Sequence, residues 1–293
     1  MKSCFHTLTG IVLLAVALLA PVLPLPAHAA QSYDNCTGFI DALPATISTQ
    51  GTWCLRHDLS TNIVSGHAIT IATNNITIDC NDFKLGGLSA GTGTTAYGIV
   101  ADNRLNLTVR HCNIRGFGYG LFAYGGGHVV EDNGFDGNTY RAVDVEGAGS
   151  TIRGNRVIDT GGSSSLTGFA TGIRAIGGVD ILDNTINGVA ATPSGSGNAT
   201  AYGVYTDSNG EGSVAGNRVR GLAASGTGTN YGIYNSSSGR MVVRDNDLQG
   251  NAVVGSIGVH CSDNQATARD NVIGGFATGV SNCLSSGNTV NAN

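Results

Sequence analysis

The chain has 293 residues and a formal net charge of −5, and it combines 45 glycines with only five prolines and 12% charged residues. This composition is unusual for a globular enzyme and indicates a repeated structure. Nucleic-acid binding needs clustered lysine and arginine, whereas the 15 basic residues of this chain are scattered. We therefore expect no nucleic-acid partner.

The N-terminal segment has the features of a cleavable secretory signal. Lys2 precedes an apolar run from Ile11 to Ala20, and the small residues Ala27 and Ala29 follow. The run is shorter than the roughly 20 residues of a membrane-spanning helix, so we expect no membrane insertion. The segment predicts a signal peptide over residues 1–29 and a secreted or periplasmic protein.

Asparagine-centred turns recur after this segment at intervals of about 17 to 33 residues, which is near the range of solenoid repeats. They are centred on Asn81, Asn113, Asn133, Asn155, Asn184, Asn217, Asn246, Asn271 and Asn288. Asparagine tolerates left-handed backbone angles, so we predict that each Asn forms a corner between strands. Its stacked side chain is then expected to hydrogen-bond buried turn backbone in the coils above and below.

A second series of short strand signals runs in step with the first. It comprises Tyr97-Gly98-Ile99, Tyr119-Gly120-Leu121, Arg141-Ala142-Val143, Thr171-Gly172-Ile173, Tyr202-Gly203-Val204, Tyr231-Gly232-Ile233, Ile257-Gly258-Val259 and Thr278-Gly279-Val280. Alternating apolar segments lie before and after each Asn, rich in β-branched residues and too short for helices. The pattern predicts an all-β fold, a single parallel β-helix solenoid with three short strands per coil and about nine coils. We place the solenoid at residues 68–293, after an N-terminal cap and first strand at residues 30–67.

Six cysteines remain after the predicted signal, and an even number in an exported chain indicates disulfides. Cys80 and Cys112 hold equivalent positions in neighbouring coils, about 4.8 Å apart, within the reach of a disulfide. The others lie on adjacent final coils or bracket the cap. We predict three disulfides: Cys36–Cys54, Cys80–Cys112 and Cys261–Cys283.

No cofactor is predicted, because the paired cysteine or histidine spacing typical of zinc is missing from the sequence. Aspartates that recur beside the predicted corners are interpreted as turn residues rather than calcium ligands, although such a repeat can host an occasional calcium ion. These aspartates are Asp79, Asp132, Asp183, Asp245 and Asp270.

Three N-terminal segments, Trp53 to Leu59, Ala68 to Ala72 and Asn75 to Leu85, resemble the opening coils of right-handed β-helix repeat proteins of the pectin-lyase-like superfamily. The resemblance implies a right-handed parallel β-helix. It does not settle activity, because that superfamily includes polysaccharide lyases, glycosidases, epimerases and non-catalytic binding or surface proteins. The motifs of its pectate lyases, polygalacturonases and alginate epimerases are missing here, so no catalytic residue is carried over.

Long Gly, Ser, Thr and Ala connections precede several first strands and are expected to wall a groove beside the first-strand sheet. They run over residues 86–96, 160–170, 189–201 and 222–230. Alternation predicts one outward column of Val100, Phe122, Asp144, Arg174, Tyr205, Tyr234 and His260, and a second of Asp102, Tyr124, Glu146, Ile176, Asp207, Ser236 and Ser262. Four phenylalanines are interpreted as core or loop residues: Phe117, Phe135, Phe169 and Phe276.

Three functions fit these columns. A binding protein would hold a polysaccharide or a surface partner through Arg174, Tyr205, Tyr234, Tyr124 and His260, without turnover. A lyase or epimerase of uronic-acid glycans would use Arg174 to neutralise the sugar carboxylate, and Tyr205 or Tyr234 rather than the more distant His260 for proton transfer. A glycoside hydrolase would need two carboxylates, from Asp144, Glu146 and Asp207.

Overall fold

The computed structural model describes residues 33–195, 197–207, 211–236 and 239–291. The signal peptide predicted for residues 1–29 lies outside the described residues, as do residues 30–32 of the predicted cap segment. Within the described ranges, no helix is both long enough and apolar enough to cross a membrane.

The described chain forms 31 short strands and one 3-10 helix at Leu88–Ala90. In chain order the strands are β1 (Gly38–Phe39), β2 (Ala45–Ile47), β3 (Gly51–Cys54), β4 (Leu59–Ser60), β5 (His67–Ile71), β6 (Ile76–Asp79), β7 (Lys84–Gly86), β8 (Tyr97–Leu105), β9 (Leu107–Arg110), β10 (Asn113–Arg115), β11 (Tyr119–Gly126), β12 (Val129–Glu131), β13 (Gly134–Asp136), β14 (Arg141–Glu146), β15 (Ser150–Arg153), β16 (Arg156–Gly161), β17 (Phe169–Ile176), β18 (Val179–Leu182), β19 (Thr185–Ala190), β20 (Thr200–Asp207), β21 (Gly212–Ala215), β22 (Arg218–Ala223), β23 (Asn230–Asn235), β24 (Met241–Arg244), β25 (Asp247–Gln249), β26 (Ile257–Cys261), β27 (Thr267–Arg269), β28 (Val272–Gly274), β29 (Thr278–Ser281), β30 (Leu284–Ser286) and β31 (Thr289–Asn291).

These strands form three parallel sheets, and each sheet takes one strand from every coil. The first-strand sheet has ten strands from β2 to β29, the second-strand sheet eleven from β1 to β30, and the third-strand sheet ten from β4 to β31. The predicted parallel β-helix with three strands per coil is thus confirmed, and about nine coils is close to the observed number. In the predicted cap segment, β2, β3 and β4 pair directly with strands of the coils that follow.

The core consists of apolar columns that run along the coils. Because side chains alternate between the two faces of a strand, each sheet directs register-matched columns inward. One column of the first-strand sheet comprises Ile69, Ile99, Leu121, Val143, Ile173, Val204, Ile233 and Val259, all fully buried. Burying one such side chain stabilises the fold by about 1.5–3 kcal/mol.

Close packing of neighbouring coils explains the glycine in the repeated Tyr-Gly-Ile signal. A Cβ atom at Gly232 would lie 2.5 Å from the carbonyl oxygen of Gly258 in the next coil, closer than real Cβ atoms approach. Equivalent contacts of 2.5 to 2.7 Å exist at Gly98, Gly120, Gly172, Gly203 and Gly258. The row therefore requires glycine at most coils because a backbone carbonyl occupies the space of a side chain.

The buried asparagines form a hydrogen-bonded ladder, as predicted. In a representative coil, the backbone N–H and side-chain Nδ2 of Asn155 both donate to Oδ1 of Asn184 at 2.9 Å, and Nδ2 also donates to the carbonyl of Val130. The ladder continues through Asn133, Asn155, Asn184, Asn217, Asn246, Asn271 and Asn288.

Two details of the asparagine prediction were wrong. The left-handed corner residue is the one before each ladder Asn, for example Asp183 with φ 56° and Gly216 with φ 69°, because the Asn uses its own N–H and side chain to reach the next coil. Asn113 lies in β10 opposite Gly134, so Cys112 holds the ladder position and donates its N–H to Asn133.

Asn81 also lies outside the ladder, and its side chain donates to the carbonyl of Leu55. The turn interpretation holds for Asp79 through its side chain, because Asp79 ends β6 and its Oδ1 accepts the backbone N–H of Asn81 at 3.0 Å in the turn that follows. The Asp79 carboxylate bonds Arg110 Nε at 2.8 Å and His111 Nδ1 at 3.2 Å. The other four aspartates are left-handed corner residues, with φ between 53° and 57°: Asp132, Asp183, Asp245 and Asp270.

The three predicted disulfides are present. Their Cα atoms are 5.8 Å apart in Cys36–Cys54, 4.7 Å in Cys80–Cys112 and 5.2 Å in Cys261–Cys283. Such bonds persist in oxidising compartments, so they indicate a protein that resides outside the cytosol.

The long connections bond to one another along one edge of the first-strand sheet. Ser164 in the connection of residues 160–170 donates its N–H to Thr92 in that of residues 86–96, across two intervening coils. Gly168 donates to Thr192, and Ala199 forms an isolated bridge with Ser225. The connections therefore form a continuous wall beside the sheet.

Candidate ligand-binding site

Three rows of side chains cover the outer face of the first-strand sheet, each row made of direct register partners from successive coils. The first row opens the strands and comprises Tyr97, Tyr119, Arg141, Thr171, Tyr202, Tyr231 and Ile257. The middle row comprises Val100, Phe122, Asp144, Arg174, Tyr205, Tyr234 and His260. The last row comprises Tyr124, Glu146, Ile176 and Asp207.

The middle row has the register expected from the sequence, whereas the predicted pairing of Asp102 with Tyr124 was wrong. Strand β8 carries one extra residue there, since Ala101 pairs with Ala123 but Arg104 pairs with Gly125. Such a bulge shifts all later side chains of the strand. The remaining two predicted outward residues, Ser236 and Ser262, directly follow the ends of β23 and β26.

Four charged side chains form one ionic cluster in the middle of the face. Asp144 is 1% exposed, and its two carboxylate oxygens bond Arg141 at 2.6 Å and Arg174 at 2.8 Å. The same Nη1 atom of Arg174 also bonds Glu146 at 2.5 Å. Burial acts to lower the pKa of Arg174, but its two carboxylate partners outweigh burial and raise the pKa. The guanidinium therefore stays charged and held by these partners.

Aromatic rings stack in the coils that follow the ionic cluster. Tyr205 stacks on Tyr234 with ring centroids 5.4 Å apart, and Tyr234 stacks on His260 at 4.9 Å. Tyr202 stacks on Tyr231 at 5.4 Å in the first row. Since neighbouring rings cover each other's faces, Tyr234 offers a ligand mainly its edge.

A pocket of about 220 Å³ lies where the ionic cluster meets the aromatic stack. It is lined by Arg141, Phe169, Thr171, Arg174, Tyr202 and Tyr205. The pocket exists because the small Thr171 stands in the first row between the larger Arg141 and Tyr202. Tyr202 meets Tyr231 on one side and Thr171 on the other, so the Thr171 side borders the pocket. Drug-sized ligands occupy roughly 300–1,000 Å³, so this space suits a single ring.

Arg141 is held in the pocket wall by aromatic rings as well as by Asp144. Its guanidinium carbon lies 5.0 Å from the ring centre of Tyr140 and 5.3 Å from that of Phe169. These are cation–π distances. Arg141 Nε is buried, and it has no hydrogen-bond partner within the part of the chain that the structure describes. The rings therefore help to fix the guanidinium in place.

Burial keeps the hydroxyl groups of two first-row tyrosines, Tyr97 and Tyr202, neutral by raising their pKa. Burial raises the pKa of Tyr202, and the neighbouring tyrosines raise it further. Burial also raises the pKa of Tyr97 to about 12. Burial lowers the pKa of His260, which favours the neutral imidazole at the end of the stack. The Tyr202 side chain therefore adds no charge to the pocket.

The structure separates the predicted binding residues into two groups. Arg174 and Tyr205 line the pocket, whereas Tyr124 lies outside it, 46% exposed, and His260 lies at the far end of the stack. Asp207 accepts a hydrogen bond of 3.4 Å from the Tyr205 hydroxyl. No cluster of three metal-ligating His, Cys, Asp or Glu side chains occurs in the described ranges.

Four pocket residues were not predicted from the sequence as site residues: Arg141, Phe169, Thr171 and Tyr202. The sequence does mark the pocket at one position, the residue that precedes the repeated glycine. This residue opens each first strand and faces outward. Tyrosine recurs at this position, but Arg141 and then Thr171 replace it in two successive coils. The change from a large side chain to the small Thr171 marks the pocket.

The family model for the right-handed β-helix region matches residues 97–293. This chain therefore belongs to the right-handed β-helix family, and the predicted handedness is confirmed. A search of curated proteins gave no match. Among solved structures, the chain is similar to the crystal structure of the Agl-KA catalytic domain, with a TM-score of 0.32 and 10% identity over 85% of this chain. The match spans 58% of that structure's length.

Proposed function

We propose that this protein binds polysaccharide along the outer face of its first-strand sheet and seats one sugar ring in the pocket at Thr171. The observation that carries the proposal is the gap in the first row, which leaves Tyr202 and Tyr205 beside two arginines. An aromatic ring offers apolar surface to the C–H face of a sugar, and a few polar groups at the rim fix its orientation. The wall of bonded connections bounds the face on one side and supports a groove there.

The proposal is binding without turnover. Asp144 is engaged by Arg141 and Arg174, and Glu146 shares Arg174, so both carboxylates already have cationic partners. A general base or nucleophile needs a carboxylate that can reach the substrate. The ionic contacts therefore favour a structural role for this pair of carboxylates.

Calorimetric titration with a panel of neutral and uronic-acid oligosaccharides tests the proposal. Tyr205→Ala is expected to weaken binding about two- to tenfold, corresponding to roughly 0.5–1.5 kcal/mol of ring contact. Thr171→Phe, which fills the pocket while keeping its charges and tyrosines, should abolish binding. Leu284→Ala is the control, because this exposed side chain lies in the second-strand sheet and not on the proposed binding face.

Unchanged binding in Thr171→Phe would refute the pocket as the site. Release of unsaturated products from a uronic-acid polymer, followed by ultraviolet absorbance, would instead establish the lyase alternative.

We also propose that the protein acts after export, in the periplasm or outside the cell, and the three disulfides support this location. N-terminal sequencing of the exported protein is expected to begin at Ala30. A mature chain that begins at Met1 would contradict the predicted signal peptide.

A further inference from the structure

The charges of the four-residue ionic cluster beside the pocket cancel. Arg141 and Arg174 contribute two positive charges, Asp144 and Glu146 contribute two negative charges, and ion pairs connect all four side chains. Both oxygens of Asp144 are used, and its side chain is 2% exposed. The pocket therefore presents no unpaired cation to a ligand.

From this balance we infer that the pocket selects an uncharged sugar residue and discriminates against uronic acids. The inference rests on the proposed polysaccharide binding and names its substrate class. A sugar carboxylate would have to compete with Asp144 or Glu146 for the arginines, and displacing Asp144 would leave a buried charge without its partners. The net charge of −5 opposes an approaching polyanion as well.

Neutral hydroxyl groups avoid this competition. A guanidinium has five N–H donors, and both ion pairs of Arg174 use Nη1. Its remaining N–H groups can donate to sugar hydroxyl oxygens without breaking an ion pair. The Tyr202 hydroxyl, kept protonated by its raised pKa, adds a donor without adding charge.

Matched titrations with neutral and uronic-acid oligosaccharides of equal length separate the two classes. The probes are tetrasaccharides of glucose, galactose, mannose and xylose, compared with tetramers of galacturonate and mannuronate. We expect binding of a neutral probe, with a change of less than about twofold between 50 and 500 mM salt, because screening weakens only interactions between charges. Tighter binding of a uronic-acid probe, lost steeply with salt, would overturn the inference and leave polysaccharide binding intact. Absence of binding to either class would overturn both.

A charge variant tests the mechanism directly. Glu146→Gln removes one negative charge and leaves the cluster with a net charge of +1. We expect its affinity for galacturonate tetramer, relative to a neutral probe, to rise about fivefold over the unmodified protein, equivalent to about 1 kcal/mol.

Glu131→Gln is the matched control, because Glu131 lies in the second-strand sheet and pairs with Arg153. We expect it to leave the ratio of the two affinities unchanged. Equal ratios in Glu146→Gln and Glu131→Gln would show that charge balance does not set the selectivity and would overturn the inference.

Discussion

Replacing Gly232 by alanine tests whether carbonyl contact between coils requires glycine in the first strands. The added Cβ would lie 2.5 Å from the Gly258 carbonyl oxygen, and real Cβ atoms stay at 3.0 Å or beyond. Since backbone cannot rotate away as a flexible side chain can, the two coils must separate locally. Overpacking of this kind costs about 1–3 kcal/mol.

The matched control is Gly195→Ala, because nothing lies within 4 Å of a Cβ atom at Gly195 and its φ is not in the left-handed region. Both substitutions restrict the unfolded chain equally, which stabilises each variant by about 0.4–1 kcal/mol. That contribution cancels in the comparison. Gly232→Ala should therefore be less stable than Gly195→Ala by about 1–3 kcal/mol.

Urea unfolding followed by far-ultraviolet circular dichroism, with the disulfides kept oxidised, measures this difference from the two midpoints. A lower midpoint is expected for Gly232→Ala. Equal midpoints would refute the argument and would show that coil spacing relaxes at little cost. Ala68 and Ala142, which stand in the same row and are fully buried, show that two coils accept a methyl group.

Two further predictions concern buried polar groups. The ring nitrogens of the fully buried His128 lie 3.3 and 3.2 Å from the backbone nitrogens of Leu107 and Gly126, and burial lowers its pKa. Its neutral form favours folding, so stability should be complete above pH 6.5, the ordinary histidine pKa, and fall as the pH drops below it. His128→Gln should flatten that slope in urea midpoints measured from pH 7.5 to 5, and an unchanged slope would contradict this account. Arg174→Ala leaves the buried Asp144 carboxylate with Arg141 as its one cationic partner, and it should lower the free energy of unfolding by about 2–3 kcal/mol in the same assay. Arg153→Ala, at an exposed ion pair, should lower it by less than about 1 kcal/mol. Equal losses would show that the cluster contributes no more than a surface ion pair.

Much of the architecture is predictable from the sequence because the repeat is local. Strand alternation has a period of two residues, so it assigns inward and outward positions within each strand without knowledge of its neighbours. The middle row from Val100 to His260 follows from that rule. The three disulfides follow from equivalent positions on adjacent coils.

The structure was needed wherever contacts join residues that are distant in sequence. The bulge at Asp102 changes the register after Ala101, and alternation alone does not reveal an extra residue. The wall depends on hydrogen bonds such as that between Thr92 and Ser164, whose partners lie in different coils.

The sequence by itself determined the coil, its apolar columns, the cysteine pairs and most positions of the asparagine ladder, since each repeats at equivalent positions. The tertiary structure decided the pocket, because it shows Arg174 bonded to two carboxylates and places Phe169 and Arg141 opposite Tyr202. The direction of a long side chain depends on charges and space in neighbouring coils. A pattern of residue types therefore predicts which residues form the face. Packing and ion pairing decide which of their groups are available to a ligand.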